Sequence, residues 1–356
     1  NNSPHDMQHT KGQKSAFKVA VFSAQPYDRR FLSQINQDHF QSLHVELVYY
    51  SSTLSQESTP LAACCEAVCV FVNDCVDEPV LKLLSEQGVR GVFLRCAGFN
   101  NIDLKAAERL GMFVARVPEY SPEAVAEFTV ALMLTLNRRT HRAYNRIREG
   151  NFDLNSLLGF NMHKKTVGIV GVGKIGLAVA RILKGFGCNL LAYDPYEEED
   201  FKALGSYTKL EDLLQQSDIV TLHCPLMDST THLINRDSLK CLKKGAMLIN
   251  TSRGGLIDTG VVINALKSGQ IGALGLDVYE NEASLFYRDR SSDIIQDDVF
   301  QRLVTFPNVL VTGHQAFLTE EALSEIAETT FQNLQHFADG TVCKNALVGG
   351  GAKIDD

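Results

Sequence analysis

The chain has 356 residues, 45% of them hydrophobic and 21% charged, with a formal net charge of −8. That is globular composition with room for two domains, and the negative balance argues against a general nucleic-acid surface or attraction to an anionic membrane. No apolar run approaches the roughly 20 residues that span a bilayer. Residues 1–15 are polar, lack a signal-peptide core and are expected to be a disordered leader. Of nine cysteines, Cys64, Cys65, Cys69 and Cys75 cluster without the paired C-x-x-C spacing of a zinc site. Cys69 lies inside the apolar run 67–72. Unpaired cysteines in a cytoplasmic protein, with no metal, fit this pattern.

In chain order, the runs 18–22, 45–50, 68–72 and 92–95 are expected strands. Segments at 30–36, 79–87 and 104–110 are expected helices between them, so the first hundred-odd residues predict a doubly wound parallel-sheet domain. Ser121 can cap a helix, Pro122 suits its first position and Glu123 complements its dipole. The apolar run 124–136 then predicts a long buried helix that connects two domains. Arg138, Arg139, Arg142, Arg146 and Arg148 follow as a solvated helix face.

At Val167-Gly168-Ile169-Val170-Gly171-Val172-Gly173-Lys174-Ile175-Gly176 a short apolar run meets G-x-G-x-x-G. Helical spacing continues through Val179 and Ile182 to a stop at Gly187. In this strand–turn–helix, Gly171 permits the turn, Gly173 lets the backbone approach a pyrophosphate and Gly176 lets the helix pack close. The helix N-terminus offers N–H groups and a positive dipole end to phosphates. The next apolar run, 189–193, ends in Asp194, about 20 residues on, where a carboxylate accepts hydrogen bonds from the adenosine ribose and repels a 2′-phosphate. The pattern predicts an NAD site and disfavours NADP.

Beyond it, expected helices at 210–215, 237–242 and 261–267 alternate with expected strands at 219–223, 246–250, 273–278 and 308–312. The stretch 284–298 reads as an acidic surface excursion. A last helix at 319–337, with Ala322, Ile326, Thr330 and Leu334 on one face, is expected to return to the first domain.

Ligands of open parallel sheets bind outside the carboxyl ends of the strands. Those ends carry Asp194, Cys224-Pro225, Thr251-Ser252-Arg253, Asp277 with Glu280 and Glu282, and His314. The set suits reduction of a 2-oxo acid. Arg253 can donate two parallel hydrogen bonds to the substrate's carbonyl and carboxylate oxygens. His314 can supply the proton, and a carboxylate on its other ring nitrogen would fix the ring; Glu282 is the candidate.

The chain resembles the D-2-hydroxyacid dehydrogenases, and among them the fermentative D-lactate branch. The resemblance runs from Lys18 onward. It rests on Arg95-Cys96-Ala97-Gly98-Phe99-Asn100-Asn101-Ile102-Asp103, Tyr120-Ser121-Pro122-Glu123-Ala124-Val125-Ala126-Glu127, the glycine motif, Asn250-Thr251-Ser252-Arg253-Gly254-Gly255-Leu256-Ile257-Asp258, Gly275-Leu276-Asp277-Val278-Tyr279-Glu280-Asn281-Glu282 and Gly313-His314-Gln315-Ala316-Phe317-Leu318-Thr319.

The resemblance implies a flavodoxin-like substrate domain (16–118 plus 315–356) and a Rossmann NAD-binding domain (119–314) with a cleft between them. It implies catalysis by Arg253, Glu282 and His314, and NAD contacts at Gly171, Gly173, Lys174, Ile175, Gly176, Asp194, Cys224, Pro225, Thr251, Ser252, Arg253, Asp277 and His314. Asp277 is expected near the nicotinamide. Substrate is expected to meet the Ala97–Gly98 amides, Tyr120, Arg253 and His314, with Phe317 and Phe71 keeping the pocket small. Also implied are pyruvate and D-lactate as substrate pair and a homodimer or homotetramer. Ala283 stands where relatives commonly have proline, and Glu127-Phe128 where many have Glu-His. A bulkier 2-oxo acid or hydroxypyruvate is the alternative substrate, and a non-catalytic NAD(H)-sensing protein the alternative of another class.

Overall fold

A computed structural model describes residues 17–350; the leader expected at 1–15 lies outside the described residues. The described chain divides into two compact units, 17–120 with 320–350, and 121–319.

The first unit begins with β1 (Phe17–Val21), α1 (Pro26–His39), β2 (Val45–Tyr49), β3 (Ala67–Val70), α2 (Glu78–Glu86), β4 (Gly91–Leu94), α3 (Leu104–Arg109) and β5 (Phe113–Arg116). Its helices start where the chemistry of capping requires. The carboxylates of Asp77 and Asp103 accept the amides of Val80 and Ala106 at 3.1 and 2.9 Å, satisfying donors that a helix start leaves unpaired. Every residue of β3 and β4 is buried, as in a sheet covered on both faces.

The second unit runs α4 (Pro122–Arg138), α5 (Thr140–Arg148), β6 (Thr166–Val170), α6 (Lys174–Gly185), β7 (Asn189–Tyr193), α7 (Glu199–Lys202), β8 (Ser206–Tyr207) and α8 (Leu210–Gln216). It continues with β9 (Ile219–Leu222), α9 (Arg236–Cys241), β10 (Ala246–Asn250), α10 (Thr259–Ser268), β11 (Ile271–Leu276), α11 (Asp298–Val304) and β12 (Val309–Val311). Its parallel sheet has the order β12-β11-β10-β9-β6-β7-β8. Counted from β6, this is the doubly wound 3-2-1-4-5-6 arrangement extended by one strand. One face is covered by α4 and α6, whose Val130, Met133, Val179 and Leu183 pack on Val167, Ile169 and Ile249; the other is closed by Leu213, Leu239, Val262 and Leu266. The Ser121 hydroxyl caps α4 through the Ala124 amide at 3.2 Å.

The chain then returns to the first unit with α12 (Glu320–Asp339) and β13 (Ala346–Val348). That sheet has the order β13-β5-β4-β3-β1-β2, parallel except for β13, the flavodoxin-like order plus an antiparallel edge. Phe337 of α12 lies 5.7, 5.6 and 5.2 Å from the rings of Phe17, Phe93 and Phe113. Strands β5 and β13 have no counterpart among the expected elements, and α1 begins at Pro26, four residues early. The second unit ends after Thr319 rather than after His314, because the amides of Gln315 and Ala316 are bonded to Asp277 at 2.9 Å each. Among the described residues no helix is long and apolar enough to cross a membrane.

Candidate active site

Strand ends of the second unit bring the singled-out residues into one row, from Asp194 after β7 through Gly171 after β6, Cys224 after β9, Arg253 after β10 and Asp277 after β11 to His314 after β12. The glycine turn begins it. Gly171 has φ +91°, a left-handed conformation suited to glycine, and an added Cβ would meet the Cys224 amide at 2.6 Å. At Gly176 a Cβ would collide with the Gly171 carbonyl, so α6 can start this close to the turn only with glycine there. Gly173, the residue preceding α6, has open space where its Cβ would be. Lys174 and Ile175 open the helix behind it. Asp194 braces the same turn: its carboxylate accepts the Val172 amide at 2.7 Å and the Tyr196 amide at 2.9 Å.

The open position at Gly173, the amides of a 12-residue helix and a carboxylate at the end of the next strand fit a dinucleotide phosphate and its ribose. Beside them, the Ser252 hydroxyl donates to the Cys224 carbonyl at 2.8 Å, joining two strand ends. Burial pushes the Cys224 thiol up to about 11, so it is a neutral neighbour, and Pro225 follows it at the surface. The Thr251 and Thr129 hydroxyls meet at 2.8 Å.

Arg253 sits in extended backbone just after this junction. Buried Asn250 shapes the turn, accepting the Ser252 amide at 3.0 Å and donating to the Arg253 carbonyl at 2.9 Å. The guanidinium donates to the Ser252 carbonyl at 2.7 Å. Asp258 caps α10 through the Val261 amide at 3.2 Å. Glu280 holds the loop from the other side, accepting the Thr259 hydroxyl at 2.6 Å and lying 2.6 Å from His232 Nε2.

His314 Nδ1 lies 2.6 Å from Glu282 Oε1, with both side chains largely shielded. The other Glu282 oxygen accepts the Tyr279 amide at 2.9 Å. His314 has φ +54°, uncommon outside glycine and retained where surrounding bonds over-determine it. Asp277, fully buried, supplies those bonds. Its carbonyl accepts the His314 amide at 2.7 Å, and its carboxylate accepts Thr312 Oγ1 at 2.6 Å and the Gln315 and Ala316 amides at 2.9 Å. Burial raises the Asp277 carboxyl above its ordinary range, while these donors oppose the shift. Phe317 is buried three residues on.

The stretch 284–298, read from sequence as a surface excursion, is anchored at several points. Phe286 is buried 6.3 Å from the Phe300 ring, the Tyr279 hydroxyl donates to Asp297 at 2.8 Å, and the Tyr287 hydroxyl donates to the His314 carbonyl at 3.0 Å. Sequence reasoning placed Glu280 at a strand end but missed its partners Thr259 and His232, as well as Tyr287 and Thr312; Thr312 stood at a strand end, but Tyr287 had no periodic signal.

The remaining singled-out residues lie in the first unit. The Ala97 carbonyl accepts from Arg116 at 2.6 Å and the Gly98 carbonyl from the Cys96 thiol at 3.3 Å. Phe71 is buried with the Arg95 guanidinium 5.0 Å over its ring, and Tyr120 is half-buried.

Fold and site together define a dinucleotide-binding α/β oxidoreductase with a carboxylate–histidine pair at its strand ends. The family model for the D-isomer specific 2-hydroxyacid dehydrogenase NAD binding domain matches residues 130–316. The chain is 60% identical over 331 residues to 2-hydroxyacid dehydrogenase A of Aspergillus oryzae, covering 93% of this chain and 95% of that one. The apo-structure of D-lactate dehydrogenase from Escherichia coli superposes with a TM-score of 0.85 at 50% identity, over 93% of this chain and 100% of that one. D-lactate dehydrogenase with NAD+ from Lactobacillus jensenii superposes with a TM-score of 0.75 at 31% identity, over 93% and 99% of the two chains. The chain belongs to the D-isomer specific 2-hydroxyacid dehydrogenase family, and its second unit carries that family's NAD binding domain.

Proposed function

We propose that this protein is an NAD-dependent D-lactate dehydrogenase that reversibly reduces pyruvate, with His314 as acid/base. The observation that carries the proposal is the 2.6 Å pair between His314 Nδ1 and Glu282 Oε1 at the carboxyl edge of a dinucleotide-binding sheet. D-lactate dehydrogenases among its relatives support the substrate. Bound at the Gly171–Gly176 turn, the dinucleotide supplies the hydride.

The chain's own residues do the rest. Arg253 takes the substrate carboxylate and polarises its carbonyl oxygen. With Nδ1–H donated to Glu282, the His314 ring is fixed and Nε2 carries the proton that passes to the carbonyl oxygen as hydride reaches the carbon. In the reverse direction neutral His314 accepts that proton. Asp277 holds the His314 turn and lies where the nicotinamide is proposed to bind. Lys174, Ile175, Asp194, Cys224, Pro225, Thr251 and Ser252 complete the proposed dinucleotide contacts. Phe317 limits the room for the substrate side chain. Ala97, Gly98, Tyr120 and Phe71 of the first unit are proposed substrate contacts, each testable by substitution.

The second unit also exposes large apolar side chains on and after α5: Tyr144 at 62%, Phe152 at 73%, Leu154 at 79% and Leu158 at 88%. Large apolar side chains exposed along one stretch of chain are the kind of surface an interaction site uses, and this stretch is proposed as the interface of a homodimer or homotetramer. A Leu158→Asp variant is expected to lower the mass measured by sedimentation.

His314→Asn tests the mechanism. Turnover is expected to fall by about three orders of magnitude or more while NADH binding survives; unchanged turnover would remove His314 from the chemistry.

A further inference from the structure

We propose that Tyr287 is a positioning residue for His314, acting through the histidine's backbone. The inference deepens the reading of His314 as the acid/base and rests on it. A single segment reaches the histidine twice. Glu282, in the 3-10 turn Glu282–Ser284, bonds Nδ1 of the ring. Five residues on, the Tyr287 hydroxyl donates to the His314 carbonyl at 3.0 Å, and its ring centroid lies 6.0 Å from the imidazole at an interplanar angle of 39°.

The turn leads directly from one contact to the other. The amides of Leu285 and Phe286 both close onto the Glu282 carbonyl, at 2.9 and 2.8 Å. Tyr287 then reverses the chain with φ +62°, unusual for an aromatic residue and sustained only where other contacts enforce it. Those contacts are present: Phe286 is buried near Phe300, and Arg290 donates to the Ser284 carbonyl at 2.7 Å and pairs with Asp293 at 2.8 Å.

His314 is itself in the left-handed region. Asp277 fixes its amide side, and Tyr287 fixes its carbonyl side. A peptide held at both ends confines the Cα–Cβ direction, and with it the side of the ring that Nε2 presents. Proton transfer requires hydrogen-bond geometry, and tolerances of a fraction of an ångström decide its rate. The Tyr287 hydroxyl therefore contributes to turnover without touching the reacting atoms.

The test is Tyr287→Phe, which keeps the ring and removes the hydroxyl, assayed in the full-length protein beside His314→Asn. With pyruvate, kcat is expected to fall about three- to tenfold, the loss of one hydrogen bond expressed as rate. NADH affinity and Tm are expected to stay near wild type. The isotope effect on kcat with 4-deuterated NADH is expected to rise, since a mispositioned acid slows the hydride and proton step; a purely structural tyrosine would not move it. Wild-type kcat and isotope effect in Tyr287→Phe, with His314→Asn inactive, overturn the tether alone. Wild-type turnover in His314→Asn overturns the acid/base reading beneath it.

Discussion

The His314 amide donates to the Asp277 carbonyl at 2.7 Å, and the Asp277 carboxylate takes the amides of Gln315 and Ala316 at 2.9 Å. One buried acid thus sets the backbone that carries the histidine ring. In Asp277→Asn one carboxylate oxygen becomes an NH2 group, which cannot accept from these amides or from Thr312. Urea unfolding is expected to show a loss of about 1–3 kcal/mol, with kcat reduced as the turn relaxes. A variant with wild-type midpoint and kcat would show that the turn holds itself.

The glycine turn separates folding from binding. Gly173→Ala places a methyl in open space at a φ of −67°, so Tm is expected to change by no more than about 2 °C. The same methyl stands where the pyrophosphate is proposed to approach, and the Kd for NADH is expected to rise at least about tenfold. Gly176→Ala drives its methyl into the Gly171 carbonyl and is expected to lower both Tm and affinity. Equal behaviour of the two variants in calorimetry and fluorescence titration would contradict this division.

Asp194 has two tasks that substitution separates. Its charge is proposed to act against a 2′-phosphate, and its oxygens brace the Val172 and Tyr196 amides. Asp194→Ser is expected to improve NADPH relative to NADH by about tenfold or more, while activity with NADH falls because the brace weakens. An unchanged cofactor ratio in initial rates would remove Asp194 as the selector.

His223 ties stability to pH. Burial pushes its imidazole down from 6.5 to about 3, and its Nε2 lies 2.9 Å from the Thr221 hydroxyl. The folded value is below the unfolded one, so the contribution to stability is complete above about pH 6.5 and is lost as pH falls toward about 3. The slope is at most about 1 kcal/mol per pH unit, trimmed because the residue is not fully shielded from solvent. His223→Gln is expected to flatten the fall in urea midpoint between about pH 7 and 5; parallel curves for the two proteins would contradict the assignment.

Local chemistry made much of this protein legible from its residues. Ser121, Asp194 and the three glycines each carry a requirement within a few positions of themselves, so their places in a turn, cap or strand end follow from spacing. Strand β5 is as short as β3 and β4, and nothing in its length sets it apart from those two expected strands. The edge strand β13 forms only by pairing with β5, a contact made across more than two hundred residues. The same limit hid Tyr287. Its segment is polar by composition, and nothing local to it announces a bond to a carbonyl 27 residues away. Phe71 illustrates the converse. Its strand-end position is what spacing shows; the burial beneath Arg95 that holds its ring is a packing relationship that spacing does not.

The most direct test of the account is the initial rate of NADH oxidation with pyruvate, beside phenylpyruvate, hydroxypyruvate and 2-oxoisocaproate, with the chirality of the product assayed and NADPH as comparison. Pyruvate is expected as the best substrate, NADH is expected over NADPH, and D-lactate is expected as the product. Preference for a bulkier acid would keep the mechanism and overturn the small pocket at Phe317. An L product, or NADH binding without turnover on any of the four acids, would contradict the enzyme proposed here.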